Sequence, residues 1–232
     1  MSRFLDTLAA LRREARPAEL AGMARFGLVG AGRLGVSMPV IRRIAKQLGC
    51  DHDLALALWE TGIPDARIVA ALVADPLSLT SRQMDTWAAD FAAWDVCDQV
   101  CLGAFVASPH AWRKVETWSR RKPEFVRRSA FSLLAMLAVH DKSSSDARFM
   151  TCLPLIEAAA DDDRNYVKKA VNWALRGIGK RNLALNQAAV ATARRLAASE
   201  ARSARWIASD ALRELESEAV QARLRRKKDR SC

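Results

Sequence analysis

The feature that most constrains this chain is its punctuation. From Pro39 onward, apolar residues recur at helical spacing in segments of helix length, and turn-forming residues separate the segments. The pattern predicts helices over 39–48, 52–61, 65–74, 80–92, 95–106, 109–121, 124–140, 147–160, 163–179, 183–198 and 202–219. The breaks carry Gly49, Gly62-Ile63-Pro64, Asp75-Pro76, Ser108-Pro109, Pro123, Ser143-Ser144-Ser145, Asp161-Asp162 and Gly179. No segment alternates in the manner of a strand. Consecutive helices with short joints imply an all-α architecture of stacked helical pairs of HEAT type, repeating at about forty residues.

Upstream, Phe4 to Arg25 reads as an amphipathic helix bent near Pro17. Gly30-Ala31-Gly32-Arg33-Leu34-Gly35 is a literal G-x-G-x-x-G, with Asp51 and Asp53 at the distance a ribose-binding acid would occupy. The dinucleotide reading fails because that fingerprint needs a strand before it and a βαβ unit after it. Here only Phe26 to Val29 is strand-like, and the next helix starts late. The expected organisation is therefore an N-terminal helix and flexible connector over 1–37, a repeat domain over 38–215, and a basic, frayed tail over 216–232.

Half of the 232 residues are hydrophobic and only ten are Gly, so a helical core is easily built. The net charge of +11 favours a polyanionic partner, nucleic acid first. Cysteines 50, 97, 101, 152 and 232 show no scaffold spacing, which fits a reducing compartment. Cys97-x3-Cys101 reads as one turn of an apolar face. The three histidines lack zinc spacing, and no metal or cofactor is expected. Neither a signal peptide nor a run long enough for a membrane span is visible, so the expectation is a cytoplasmic protein.

Three stretches carry chemistry. In Trp94-Asp95-Val96-Cys97-Asp98, a helix over 94–106 puts Val100, Cys101, Ala104 and Phe105 on one apolar face, at about 100° per residue. Asp98 falls at the edge of that face beside Trp94, where a half-buried carboxylate can act as acid or base. The competing reading makes Asp95 the N-cap and Asp98 its third-residue partner, serving only the helix dipole. In the helix from about Asp163, Trp173 lies outside the core face of Val167, Ala170, Val171, Ala174 and Ile178. Lys169, Arg176 and Lys180 surround it, as suits stacking on a nucleotide. The alternative is burial by a neighbouring repeat with snorkelling cations. Finally, Arg127 and Arg128 stand in the first turn of a helix, where they oppose its dipole unless an anion binds there or Glu124 and the loop neutralise them.

With these three motifs, in this order and separation, the chain resembles the AlkD-type DNA alkylation repair glycosylases over roughly residues 38 to 215. The resemblance rests on Trp94-Asp95-Val96-Cys97-Asp98, on Val126-Arg127-Arg128-Ser129-Ala130, and on Val167-Lys168-Lys169-Ala170-Val171-Asn172-Trp173-Ala174-Leu175-Arg176. It implies a curved α-α solenoid with a concave basic groove, and catalytic positions at Trp94, Asp98, Arg128 and Trp173. It further implies excision of cationic 3-methyladenine and 7-methylguanine from double-stranded DNA without base flipping and without an obligate protein partner. Arg127, Lys169, Arg176 and Lys180 are the expected nucleic-acid contacts. The chain departs from the family pattern at Cys97, where Val is usual. It has Pro64-Asp65 in place of a His-Glu pair, and Ala93 in place of a second aromatic. Two other readings stay open: a non-catalytic relative that binds damaged or branched DNA by shape, and a helical scaffold for acidic proteins.

Overall fold

A computed structural model describes residues 3–229, with the backbone alone at 227–229. Every regular element among them is helical. The chain divides into two compact units, Met1–Ala111 and Trp112–Cys232.

In the first unit the helices are α1 (Arg3–Arg13), α2 (Leu20–Arg25), α3 (Met38–Leu48), α4 (His52–Glu60), α5 (Pro64–Val73), α6 (Ser81–Ala89) and α7 (Trp94–Val100). The bend predicted near Pro17 is a single tight turn, Pro17–Glu19, between α1 and α2. Helix α5 is the hub, with eight buried positions and packing against α3, α4 and α7. Around it lies an aromatic cluster: Trp59 and Trp87 stack with centroids 4.1 Å apart, and Phe91 and Phe105 close the group. Stacked pairs of this kind contribute about 1 kcal/mol beyond the area they bury.

The connector is tied to the helices by buried polar contacts. Asp65, only 1% exposed, accepts the backbone N–H groups of Leu34 and Val36, each at 2.8 Å. Arg33, also buried, forks onto Asp95 at 2.7 and 3.0 Å and donates to the Val29 carbonyl. The glycines provide the backbone this path requires: Gly35 sits at φ +76, and a Cβ there would come within 2.9 Å of the Arg16 carbonyl oxygen. Asp65 and Arg33 thus hold down a loop whose composition reads as slack.

The second unit begins one residue into α8 (Ala111–Trp118) and continues with α9 (Glu124–His140), α10 (Asp146–Met150), α11 (Leu153–Ala159), α12 (Asn165–Gly179), α13 (Leu183–Ala197), α14 (Arg202–Leu215) and α15 (Glu218–Asp229). Helices α9, α12 and α14 pack in succession and begin 41 and 37 residues apart, which is the forty-residue repeat. Helix α9 is buried almost without interruption from Arg128 to Ala138, as its all-round apolar pattern demands.

Two predicted helices break. The segment 147–160 divides at Thr151 and Cys152, because Pro154 has no N–H and fits only the first turn of the new helix α11. The segment 202–219 divides at Glu216 and Ser217, where the Ser217 hydroxyl donates to Glu214 O and accepts from Val220 N. The basic segment after this break is helix α15 and not a frayed tail. It buries Val220 and Leu224, and Gln221 donates to Asn186 and to Leu215 O. Arg230 and the last two residues lie outside the described region. No described helix is long and apolar enough to cross a membrane.

Candidate nucleic-acid interface

Helix α7 starts at Trp94 with Ala93 as N-cap and no side-chain cap, so Asp95 does not serve as one. Its carboxylate is occupied by Arg33 instead. Val96, Cys97, Val100 and Cys101 face inward, and both cysteines are fully buried, consistent with one turn of an apolar face. Among the described residues Cys50 and Cys152 are free thiols, and burial pushes the Cys152 thiol pKa up to about 11.

Past Val100 the helix widens into one turn of π type over Cys101–Phe105, closed by Val106 N donating to Cys101 O at 2.9 Å. Gly103 lets this turn approach α5: a Cβ there would lie 3.0 Å from the Ala71 oxygen. Such turns occur often beside functional groups. Asp98 is half-buried one turn after Trp94, on the same side of the helix. The Trp94 indole is held by its Nε1–H, which donates to the Phe26 carbonyl at 2.8 Å. The pinned connector therefore orients both Trp94 and Asp95.

In the second unit, the indoles divide by burial. Trp112 and Trp118 are core residues, Trp173 is half-buried, and Trp206 is 40% exposed beneath Lys168. Trp173 lines a cleft of about 390 Å³ whose apolar surface is Ala138, Val139 and Gly177. Lys142, Lys180, Arg181 and Arg223 supply its charge. Among the described residues no acidic side chain lines it.

The cations expected around Trp173 are mostly engaged elsewhere. Arg176 pairs with Glu214 and approaches Asp210 at 3.6 Å, and Lys180 pairs with Glu214 at 2.6 Å. Burial raises the Glu214 pKa, but the bonds from Lys180 and Arg176 more than offset this, leaving it below the usual value. Lys169 is exposed and has no ion pair among the described residues. Arg181 donates to the carbonyls of Ala138 and Asp141, and desolvation lowers its pKa.

The paired arginines of α9 are also tied down, though not by Glu124. Arg127 pairs with Asp162 at 3.0 Å, and Asp162 is held further by Arg164, whose hydrogen bond leads the depression of its pKa. Arg128 is 5% exposed and donates to the Tyr166 carbonyl at 2.7 Å, joining α9 to the start of α12. Arg127, Arg176 and Lys180, expected at phosphates, are thus engaged within the protein. Sequence reasoning missed Arg33, Asp65, Lys142 and Arg223. For Arg223 a signal existed: Val220 and Leu224 sit four residues apart inside the basic tail, the spacing of a docked helix.

A solved structure from a new family of proteins related to the HEAT-like repeat DNA glycosylases, with affinity for branched DNA structures, is similar to this chain. It superposes with a TM-score of 0.74 at 20% identity over 83% of each chain. A designed armadillo repeat protein in complex with a (KR)4 peptide aligns over 97% of each chain at 13% identity, with a TM-score of only 0.37. No curated protein matches the chain. The family model for DNA alkylation repair enzymes matches residues 7–215. With its all-helical, HEAT-like repeats, this chain belongs to the DNA alkylation repair enzyme family.

Proposed function

We propose that the protein is a DNA glycosylase that releases positively charged alkylated purines, 3-methyladenine and 7-methylguanine, from duplex DNA by hydrolysis of the N-glycosidic bond. The observation that carries this reading is the setting of Asp98 on α7: it stands one turn from an oriented indole and keeps part of its surface exposed. A cationic purine leaves as a neutral base and needs little acid help. The developing cation on the sugar is what requires stabilisation, and Asp98 answers it electrostatically while holding the water that adds to C1′. Trp94 presents the negative face of its indole to the same charge. Trp173 offers the strand a second indole, in its own basic cleft. Arg128 acts through position, fixing α12 and therefore Trp173.

A second reading draws on the solved relative with affinity for branched DNA: recognition of DNA shape without base release. Incubation of the purified protein with methylated duplex separates the two. Free methylpurines appearing faster than the spontaneous rate support the glycosylase. Tight retention of branched DNA with no release above background supports shape recognition.

A further inference from the structure

The cleft beside Trp173 has one charge that the family match does not cover. Helix α15 lies beyond residue 215, where that match ends, yet its Arg223 lines the cleft. Val220 and Leu224 anchor the helix, and Gln221 bonds it to Asn186 and Leu215. Arg223 between them is exposed and makes no hydrogen bond or ion pair among the described residues. Lys142, in the turn after α9, is not fully buried and is likewise without an ion pair there. That turn is well organised: Asp141 accepts from Ser143, Ser144 and Trp112, so Lys142 leaves a fixed backbone.

We propose that Lys142 and Arg223 are the phosphate-binding cations of the Trp173 cleft, and that the cleft holds one nucleotide unit of a DNA strand. The inference rests on the DNA reading above and assigns its contacts to residues other than Arg176 and Lys180. Those two face Glu214, and a phosphate would have to displace a carboxylate already in place. Lys142 and Arg223 face no such competitor among the described residues. Between them the surface is apolar and aromatic: Trp173, Ala138, Gly177 and Val139, the last 53% exposed. A sugar and base meet that surface well, and flanking phosphates meet the cations. An acidic peptide would use the charges and leave the indole idle.

Each cation that neutralises a DNA phosphate contributes about 0.9 to the slope of log affinity against log salt. The double variant Lys142→Ala/Arg223→Ala is therefore expected to flatten that slope by about 2 for duplex DNA, with the melting temperature unchanged. Arg113→Ala/Arg120→Ala, which removes the same charge from the exposed side of the α8 region, serves as the control and should leave the slope near wild type. An unaltered slope in the first variant, or an equal loss in the control, overturns the assignment. Wild-type protein that fails to bind DNA at all overturns the DNA reading instead, so the two failures are distinguishable. Tight binding of an acidic polypeptide that is lost in the cleft variant, with DNA binding intact, also overturns it.

Discussion

Helices α7 and α12 each carry a half-buried indole with charged residues at helical spacing, but different neighbouring elements pair with those charges. On α7, the neighbouring Asp95 is claimed by Arg33, and Asp98 at i+4 from Trp94 remains partly exposed. On α12, the residues at i+3 and i+7 from Trp173 are claimed by Glu214, and only Lys169 at i−4 stands open. The difference teaches that helical period decides which charges share a face with an indole. The neighbouring element then decides which of them are paired within the protein.

Breaking the α7 side should give the larger effect. Arg33→Ala removes a guanidinium whose side chain is 5% exposed from a bidentate pair, and leaves the Asp95 carboxylate and the Val29 carbonyl without it. Loss of one member of a buried pair costs roughly 3–5 kcal/mol; with the Asp95 side chain 17% exposed, about 3 kcal/mol is expected in denaturant unfolding. A loss below about 1 kcal/mol would show that water replaces Arg33 and that the connector does not orient α7.

The α12 side can be sharpened by releasing its cations. Glu214→Gln frees Arg176 and Lys180, and should cost about 1 kcal/mol at neutral pH, since the pairs are partly solvated. The depressed Glu214 pKa sets the sign with pH. Its stabilisation is present above about 4.5, the usual value, and is lost as pH falls through the lower folded value. The variant should therefore lose part of the acid limb of a melting-temperature profile. Its DNA-binding slope against salt should steepen as the two cations become available; an unchanged slope would remove them from the DNA surface altogether.

The smallest effect belongs to Lys169. Lys169→Ala should flatten the salt slope by about 1 and leave the melting temperature as it was. A shift in melting temperature with no change of slope would make Lys169 a structural residue.

The same logic explains what is legible in the sequence. The helices, the forty-residue rhythm and the place of Trp173 outside the core face of α12 come from local periodicity, which a single sequence displays. The break at Pro154 is also on display, since proline cannot donate inside a helix. What cannot be read is pairing across long separations: Asp65 with the backbone of Leu34 and Val36, Arg33 with Asp95, Glu214 with Arg176. Nothing in Gly30-Ala31-Gly32-Arg33-Leu34-Gly35 says that its arginine finds a carboxylate 62 residues on. Arg128 shows the limit most plainly. Its helix is evident from the apolar pattern, but whether its guanidinium meets solvent or the Tyr166 carbonyl depends on α12.

The central claim is that Asp98 acts on the reaction and not on the fold, and Asp98→Asn tests it most directly. Asparagine keeps the shape and removes the charge that opposes a cationic sugar, a loss on the order of 3 kcal/mol or a hundredfold in rate. Single-turnover release of 7-methylguanine and thermal melting are read on the same preparation, with wild type alongside. The account predicts release slowed about a hundredfold, with melting temperature and DNA affinity near wild type. A variant that melts early yet releases 7-methylguanine at the wild-type rate would contradict it.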